Sequence, residues 1–323
     1  MTRRPAHYAT LDGRIATAIA RGLALLLILA GVPTMDLDAH LLRASDVDAL
    51  PSKPATVRAA YGTDPLQFGD LRLPLGDGPF PVAIVIHGGC WVERYASIVN
   101  STPLADALRD AGVATWNIEY RRTDSPSGGW PNTFLDVLAA TAHLRVLART
   151  HPLDLDRVVT VGHSAGGHLA LWLAAAAEGR VPASSPIGAW TRDRAPVAIR
   201  AAVALAGIAD LADFRTYSAN TCGDVVDPFM GGTPEAVPER YAAGSPVQLL
   251  PMRTPQVQVV GEFDRVMPAR AREAHAAAVR ASGSPVELVV VPGAGHHELM
   301  SPRSVAWATV RRTLLRQLGS EAP

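Results

Sequence analysis

A serine flanked by glycines lies where a predicted strand turns directly into a predicted helix. The strand is the β-branched run at residues 157–161, the turn at residues 162–166 reads G-H-S-A-G, and an apolar helix is expected from His168 onward. Because such a sharp turn leaves little room beside its central residue, glycine suits the flanking positions. A strand, G-x-S-x-G and a helix in this order predict a nucleophile elbow, which presents the Ser164 hydroxyl above the carboxyl edge of a sheet.

The rest of the chain alternates between strand-like and helix-like segments. Apolar and β-branched runs predict strands at residues 56–61, 67–73, 82–86, 113–118, 198–205, 255–260 and 286–291. Helical spacing predicts helices at residues 104–111, 269–281 and 305–318, and one more that is capped by Asn132 or Thr133. This alternation predicts an α/β fold, with a mostly parallel central sheet and helices on both faces. Residues 210–252 are too long for an ordinary connection, so we expect a small lid insertion there.

The amino-terminal region allows several interpretations. Residues 1–34 contain an apolar stretch at 22–32 that is too short for a membrane span but suits the core of a signal peptide. Alternatively, Met35 is the true start. We expect residues 35–55 to be a polar lead-in and residues 56–318 to be the folded domain. We also expect a cytoplasmic protein, with secretion or membrane anchoring as the alternative if the apolar stretch is a real signal.

Composition excludes several classes of function. The formal net charge is +0, so nothing indicates a nucleic-acid partner. Lys53 is the only lysine and lies in a Pro-flanked segment, which argues against a lysine nucleophile. Cys90 and Cys222 do not have the spacing of a metal site, so we expect no metal. The sequence does not decide whether these two cysteines pair, and we expect two free, partly buried thiols.

A serine hydroxyl is a weak nucleophile at neutral pH and needs a neighbouring base. Asp264 follows one predicted strand and His296 follows the next, so both are expected at the carboxyl edge of the sheet with Ser164. The chain order serine, acid, histidine is typical of one large class of hydrolases. Glu262 is the alternative acid. His296 is preferred to His297 because it follows the glycine turn directly.

The loop at residues 87–91 reads H-G-G-C-W and follows the predicted strand 82–86. Its glycines allow the backbone to approach a ligand, and we expect the N–H groups of Gly89 and Cys90, with that of Ala165, to stabilise a developing oxyanion. His87, His163 and His168 are interpreted as structural residues. Trp91 either packs in the core or lines the acyl or leaving-group pocket, and we assign it to the substrate pocket.

These motifs resemble a known family. The H-G-G-x-W loop and the G-H-S-A-G-G-H elbow resemble those of kynurenine formamidase-like and BD-FAE-like esterases, and the acid and histidine loops are similar to theirs. The segment at residues 241–251 resembles the one that precedes the acid strand in prolyl-oligopeptidase-like hydrolases. The resemblance covers residues 56–318. It implies the α/β-hydrolase fold and a cofactor-free serine mechanism acting on small esters or amides.

Three functions follow from this reading. The first is a carboxylesterase that acts through an acyl-enzyme on a small-molecule ester with a short acyl group, since Trp91 would limit the space beside the reacting carbon. The second is an arylformamidase, which cleaves a formamide such as N-formylkynurenine. The third is a catalytically inactive hydrolase fold that serves as a binding protein. The sequence does not indicate an oligomeric state, and we expect no membrane partner.

Overall fold

The structure is a computed structural model that describes residues 41–194, 197–218 and 222–320. The predictions for residues 1–34 and for the first part of the lead-in lie outside the described residues. No helix in the described part of the chain is long and apolar enough to cross a membrane.

Eight strands of the described residues form one sheet. They are β1 (Val57–Ala60), β2 (Phe68–Arg72), β3 (Phe80–Ile86), β4 (Ala114–Ile118), β5 (Leu153–His163), β6 (Ala201–Leu205), β7 (Gln256–Gly261) and β8 (Val286–Val291). Their order across the sheet is β1-β2-β4-β3-β5-β6-β7-β8. β2 pairs antiparallel with both β1 and β4, and all the other neighbours pair parallel. The predicted α/β class with a mostly parallel sheet is therefore confirmed.

The central strands are covered on both faces. Every residue of β6 and β7 is buried, and successive side chains of a strand point to opposite faces. Such strands need helices on both sides, which is why they read as continuous apolar runs. The helices of the described residues are α1 (Ala44–Asp48), α2 (Ile98–Asp110), α3 (Asn132–Leu147), α4 (Ala165–Ala177), α5 (Pro186–Asp193), α6 (Leu211–Tyr217), α7 (Val226–Met230), α8 (Pro238–Gly244), α9 (Ala269–Ala281) and α10 (Trp307–Leu318).

The start of α2 and the cap of α3 differ from the sequence predictions. α2 begins at Ile98 rather than at 104, because the Ser97 side chain caps it and the helix accommodates Pro103 in its second turn. The cap predicted for α3 is wrong, since Pro131 occupies the N-cap position and no side chain caps the helix. The Thr133 hydroxyl donates instead to the carbonyl of Arg121.

The segment between β6 and β7, where the sequence predicts a small lid insertion, contains several short helices. It comprises α6, α7 and α8 and short 3₁₀ turns at Cys222–Val225 and Pro246–Leu249. Its aromatic side chains Phe214 and Phe229 are fully buried. We call residues 210–252 the insertion.

A disulfide bond joins Cys90 to Cys222. It links the loop after β3 to the insertion, across 132 residues of sequence. The expectation of two free thiols is therefore wrong. Sequence spacing could not reveal the bond, because the two cysteines come together only when the insertion packs against the sheet.

The lead-in is not simply a polar connection. Within α1, Val47 is fully buried. The backbone N–H of Leu42 donates to Glu298 Oε1 at 2.5 Å, and the Asn100 side chain donates to Asp48 at 2.7 Å. The other oxygen of Glu298 accepts from the N–H of Gly295 at 3.0 Å. Residues 41–50 therefore pack on the domain and support the loop that carries His296.

We expect a chain lacking residues 1–50 to be less stable than one lacking residues 1–40. The additional deletion exposes the site of Val47 and leaves Glu298 without one of its donors, which should cost about 2–4 kcal/mol in free energy of unfolding. Urea unfolding of the two truncated chains, measured side by side, tests this. Because both lack residues 1–40, equal midpoints would show that residues 41–50 contribute nothing to stability.

We expect Cys222→Ser to lower the free energy of unfolding by about 2–4 kcal/mol, because the bond restricts the unfolded chain. Unfolding should be measured with and without a thiol reductant. Reduction should lower the stability of the wild type to that of the variant and leave the variant unchanged. A variant equally stable to the oxidised wild type would contradict the prediction.

Candidate active site

Ser164 occupies the turn between β5 and α4. Its backbone has φ 54° and ψ −118°, which is a strained conformation for a residue with a side chain. A Cβ added to Gly162 would lie 2.1 Å from the carbonyl oxygen of Gly166. One added to Gly166 would lie 2.1 Å from the carbonyl oxygen of Ile86. Only glycine fits at these two positions, which explains the G-x-S-x-G pattern in physical terms.

Asp264 and His296 form a hydrogen-bonded pair. Their side chains approach to 2.8 Å between Oδ2 of Asp264 and Nδ1 of His296. Oδ1 of Asp264 accepts from the backbone N–H groups of Val266 and Met267, each at 2.8 Å. Burial alone would raise the pKa of Asp264, but His296 and these two N–H groups hold it below its usual value. Asp264 is therefore anionic at neutral pH and fixes the orientation of the imidazole.

His163 connects this pair to the elbow. Its Nε2 donates to the backbone carbonyl of His296 at 3.0 Å, and the two rings lie 4.4 Å apart. Burial lowers the pKa of His163 well below its usual value, so the ring is neutral. The loop that carries His296 is thus held against the residue that precedes Ser164. Within the described residues the Ser164 hydroxyl makes no hydrogen bond to His296, and such bonds often tighten only when substrate binds.

The two alternatives are placed differently. His297 lies beside His296, with 5.1 Å between ring centroids, but its Nδ1 is buried without a partner in the described chain. Burial lowers the pKa of His297 to about 4. Glu262 is exposed and accepts from the backbone N–H of Gly293 at 2.9 Å. The structure therefore brings Asp264 together with His296, whereas Glu262 lies against a turn.

The loop after β3 lies directly against the elbow. A Cβ added to Gly88 would lie 3.4 Å from Cβ of Ser164. Gly89, Cys90 and Trp91 all have positive φ, at 92°, 53° and 56°. Among the described residues, the N–H groups of Gly89 and Cys90 have no hydrogen-bond acceptor. The N–H of Ala165 lies in the first turn of α4, where no intrahelical acceptor exists.

A network of buried polar side chains supports the loop after β3. Oε1 of Glu119 lies 2.8 Å from Nε2 of His87 and 2.7 Å from Nη1 of Arg122. Tyr120 stacks on His87 and donates to the His87 carbonyl at 2.8 Å. Burial would raise the pKa of Glu119, but its cationic and N–H neighbours hold it at about 2. The sequence analysis did not identify Glu119. The one feature of the sequence that points to it is its position, a carboxylate directly after the buried strand β4.

Trp91 does not line a substrate pocket. Its side chain is fully buried and stacks on Phe229, with 4.7 Å between ring centroids. The prediction that Trp91 lines the substrate pocket is therefore wrong, because the insertion encloses the indole and leaves none of its surface accessible to a substrate. A buried Trp91 does not limit the space beside the reacting carbon, so the structure gives no support for a preference for short acyl groups.

No group of three or more histidine, cysteine, aspartate or glutamate side chains is arranged to hold a metal ion within the ranges that the structure describes. The site consists of a serine on a strained turn, a histidine–aspartate pair, and a loop in which the N–H groups of Gly89 and Cys90 have no acceptor among the described residues. This arrangement can activate a hydroxyl and stabilise negative charge on a carbonyl oxygen.

Comparison with known proteins places the chain in a family. The BD-FAE family model matches residues 70–277, which is more than half of the chain. Esterase LipC of Mycobacterium tuberculosis is 31% identical over 74% of this chain and 59% of its own length. Esterase LipQ of the same organism is 29% identical over 67% of this chain and 50% of its own length. The chain thus spans about half the length of these curated relatives, or slightly more.

The solved structure of Esterase B from Lactobacillus rhamnosis is similar with a TM-score of 0.71. The match covers 96% of each chain at 16% sequence identity, so it bears on the fold. Together with the strand order and the elbow, these comparisons show that the chain has the α/β-hydrolase fold and belongs to the BD-FAE family.

Proposed function

We propose that this protein is a serine hydrolase that cleaves carboxylic esters of small molecules. The observation that carries the proposal is the 2.8 Å pair of His296 and Asp264, held against the strained Ser164 turn by the His163 bond to the His296 carbonyl. The names of the relatives LipC and LipQ, both esterases, support the reaction class. No observation favours the formamidase or the inactive binding protein over this function.

The proposed first step is attack of Ser164 on the ester carbonyl. Nε2 of His296 takes the hydroxyl proton as Oγ bonds to the carbonyl carbon, while Asp264 stabilises the imidazolium that forms. The N–H groups of Gly89, Cys90 and Ala165 donate to the resulting oxyanion. When the C–O bond breaks, His296 returns the proton to the leaving alcohol.

The second step repeats this chemistry with water. His296 removes a proton from the water as the water oxygen attacks the acyl-enzyme carbonyl carbon. The same N–H groups stabilise the second oxyanion. Collapse of this intermediate releases the carboxylic acid and restores the Ser164 hydroxyl. No cofactor is consumed in either step.

The location that we propose differs from the sequence-based expectation. The disulfide between Cys90 and Cys222 supports an oxidising compartment, because structural disulfides persist there and are rare in the cytosol. We therefore favour secretion or anchoring outside the cytoplasm over a cytoplasmic location.

We expect Ser164→Ala to lower kcat/KM for p-nitrophenyl butyrate by a factor on the order of 10³ or more, because the nucleophile is removed. The urea midpoint should stay close to that of the wild type. The matched control is Ser185→Ala, which removes a serine that caps α5 and should keep full activity.

The formamide N-formylkynurenine should be assayed in parallel with the ester. Retention of most ester activity by Ser164→Ala would exclude this mechanism, and a much higher kcat/KM for N-formylkynurenine would make the protein a formamidase.

We expect His296→Ala to be as damaging as Ser164→Ala, and the double variant to be no worse than either, because the two groups act as a unit. Asp264→Asn should lower kcat by a factor on the order of 10³–10⁴. The matched controls are His297→Ala and Glu262→Gln, which should change kcat by less than roughly tenfold, since neither side chain is hydrogen-bonded to the His296 imidazole. If His297→Ala had the larger effect, the base would be His297 instead.

A further inference from the structure

His168 lies where three functional elements meet. It belongs to α4, the helix that begins beside Ser164, and it is fully buried. Its Nδ1 accepts from the indole N–H of Trp91 at 3.3 Å. Its Nε2 donates to the backbone carbonyl of Gly244 at 2.8 Å. One imidazole therefore connects the loop after β3, the elbow helix and the insertion.

The two bonds fix the state of this ring. A carbonyl can only accept and an indole N–H can only donate, so His168 carries its proton on Nε2 and is neutral. Burial lowers the pKa of His168 to about 4, which keeps the ring neutral at all ordinary pH values. His168 is thus a fixed connector and does not take part in proton transfer.

The loop that His168 touches needs support from outside. Cys90 and Trp91 both have positive φ, a conformation that is unfavourable for residues with a Cβ and persists only when the surroundings impose it. Cys90 is bonded covalently to the insertion. The Trp91 indole is enclosed by Phe229 of the insertion, which stacks on it, and by His168, whose ring lies edge-on at 5.3 Å. The elbow helix and the insertion together hold both strained residues.

We propose that His168 is a positioning residue for the oxyanion site. By holding the Trp91 indole it keeps the neighbouring N–H groups of Gly89 and Cys90 directed at the reacting carbonyl oxygen. The insertion then holds the loop after β3 in its functional conformation, in addition to any role as a lid. This inference rests on the ester hydrolysis proposed above.

The same helix supplies a matched control. Trp172 lies one turn further along α4, is also fully buried, and donates from its indole N–H to the carbonyl of Ala243 at 2.9 Å. It thus joins the elbow helix to the insertion one residue before Gly244. Its bond contributes to the attachment of the insertion but does not involve Trp91.

The test compares His168→Leu, His168→Gln and Trp172→Phe with p-nitrophenyl butyrate. We expect His168→Leu to lower kcat by about 10–100-fold with a much smaller change in KM, since loss of one oxyanion donor costs ~10²–10³-fold and here the donors are displaced. Affinity for a trifluoromethyl ketone, which forms an oxyanion adduct with a serine, should fall in parallel. His168→Gln should restore most of kcat, because its amide can both accept and donate. Trp172→Phe should lower the melting temperature but keep kcat within roughly threefold.

Several outcomes would overturn the inference. An unchanged kcat in His168→Leu, or equal losses of kcat in His168→Leu and Trp172→Phe, would leave His168 with only a structural role. If His168→Leu does not fold, Trp91→Phe removes the same indole donor while keeping the ring on Phe229, and it should show the same fall in kcat without a matching rise in KM. Activity retained by Ser164→Ala would instead refute the proposed function, so the two failures are distinguishable.

Discussion

The close approach of backbone to backbone around Ser164 is the constraint on which the rest of the site depends. Gly166 lies so near the carbonyl of Ile86 that a side chain there would collide with the end of β3. The loop that follows β3 is consequently pressed against the start of α4, and a Cβ added to Gly88 would lie 3.4 Å from Cβ of Ser164. The strain at Ser164 persists because the second half of β5 and nearly all of α4 are buried, so the turn between them cannot relax without opening the core.

Two neutral histidines flank the nucleophile and hold its surroundings in place. His163 donates from Nε2 to the carbonyl of His296, and His168 donates from Nε2 to the carbonyl of Gly244. Burial lowers the pKa of both rings, so neither gains a proton in the pH range where ester hydrolysis is assayed. The residues on either side of the G-x-S-x-G serine thus attach the turn to two distant segments, the histidine loop and the insertion. A neutral imidazole suits this task because it offers one donor and one acceptor at fixed positions.

The sequence was informative wherever function or structure depends on local pattern. The predicted bounds of α9 and β8 match the structure, since helical spacing and a β-branched run are local signals. The pairing of Asp264 with His296 was also predictable, because the carboxyl ends of neighbouring parallel strands meet at one edge. The Cys90–Cys222 bond, the burial of Trp91 and the packing of the lead-in on Glu298 were not. Each depends on how the insertion or the chain's early residues fold back over the sheet, and no periodicity encodes that.

Histidine pairs with a carboxylate twice in the described part of the chain, and a difference between the two pairs indicates which one acts on substrate. In the His87–Glu119 pair both ring nitrogens of His87 have partners, since Nδ1 lies 2.9 Å from the Gly88 carbonyl and Nε2 lies 2.8 Å from Glu119. That ring is fully buried, so it has no nitrogen with which to take a proton from a substrate or a serine. In the His296–Asp264 pair only Nδ1 is engaged within the described residues, and 11% of the His296 side chain is exposed. A histidine–carboxylate pair therefore supports a loop in one place and can serve as a base in the other. The difference is the free, accessible Nε2 of His296.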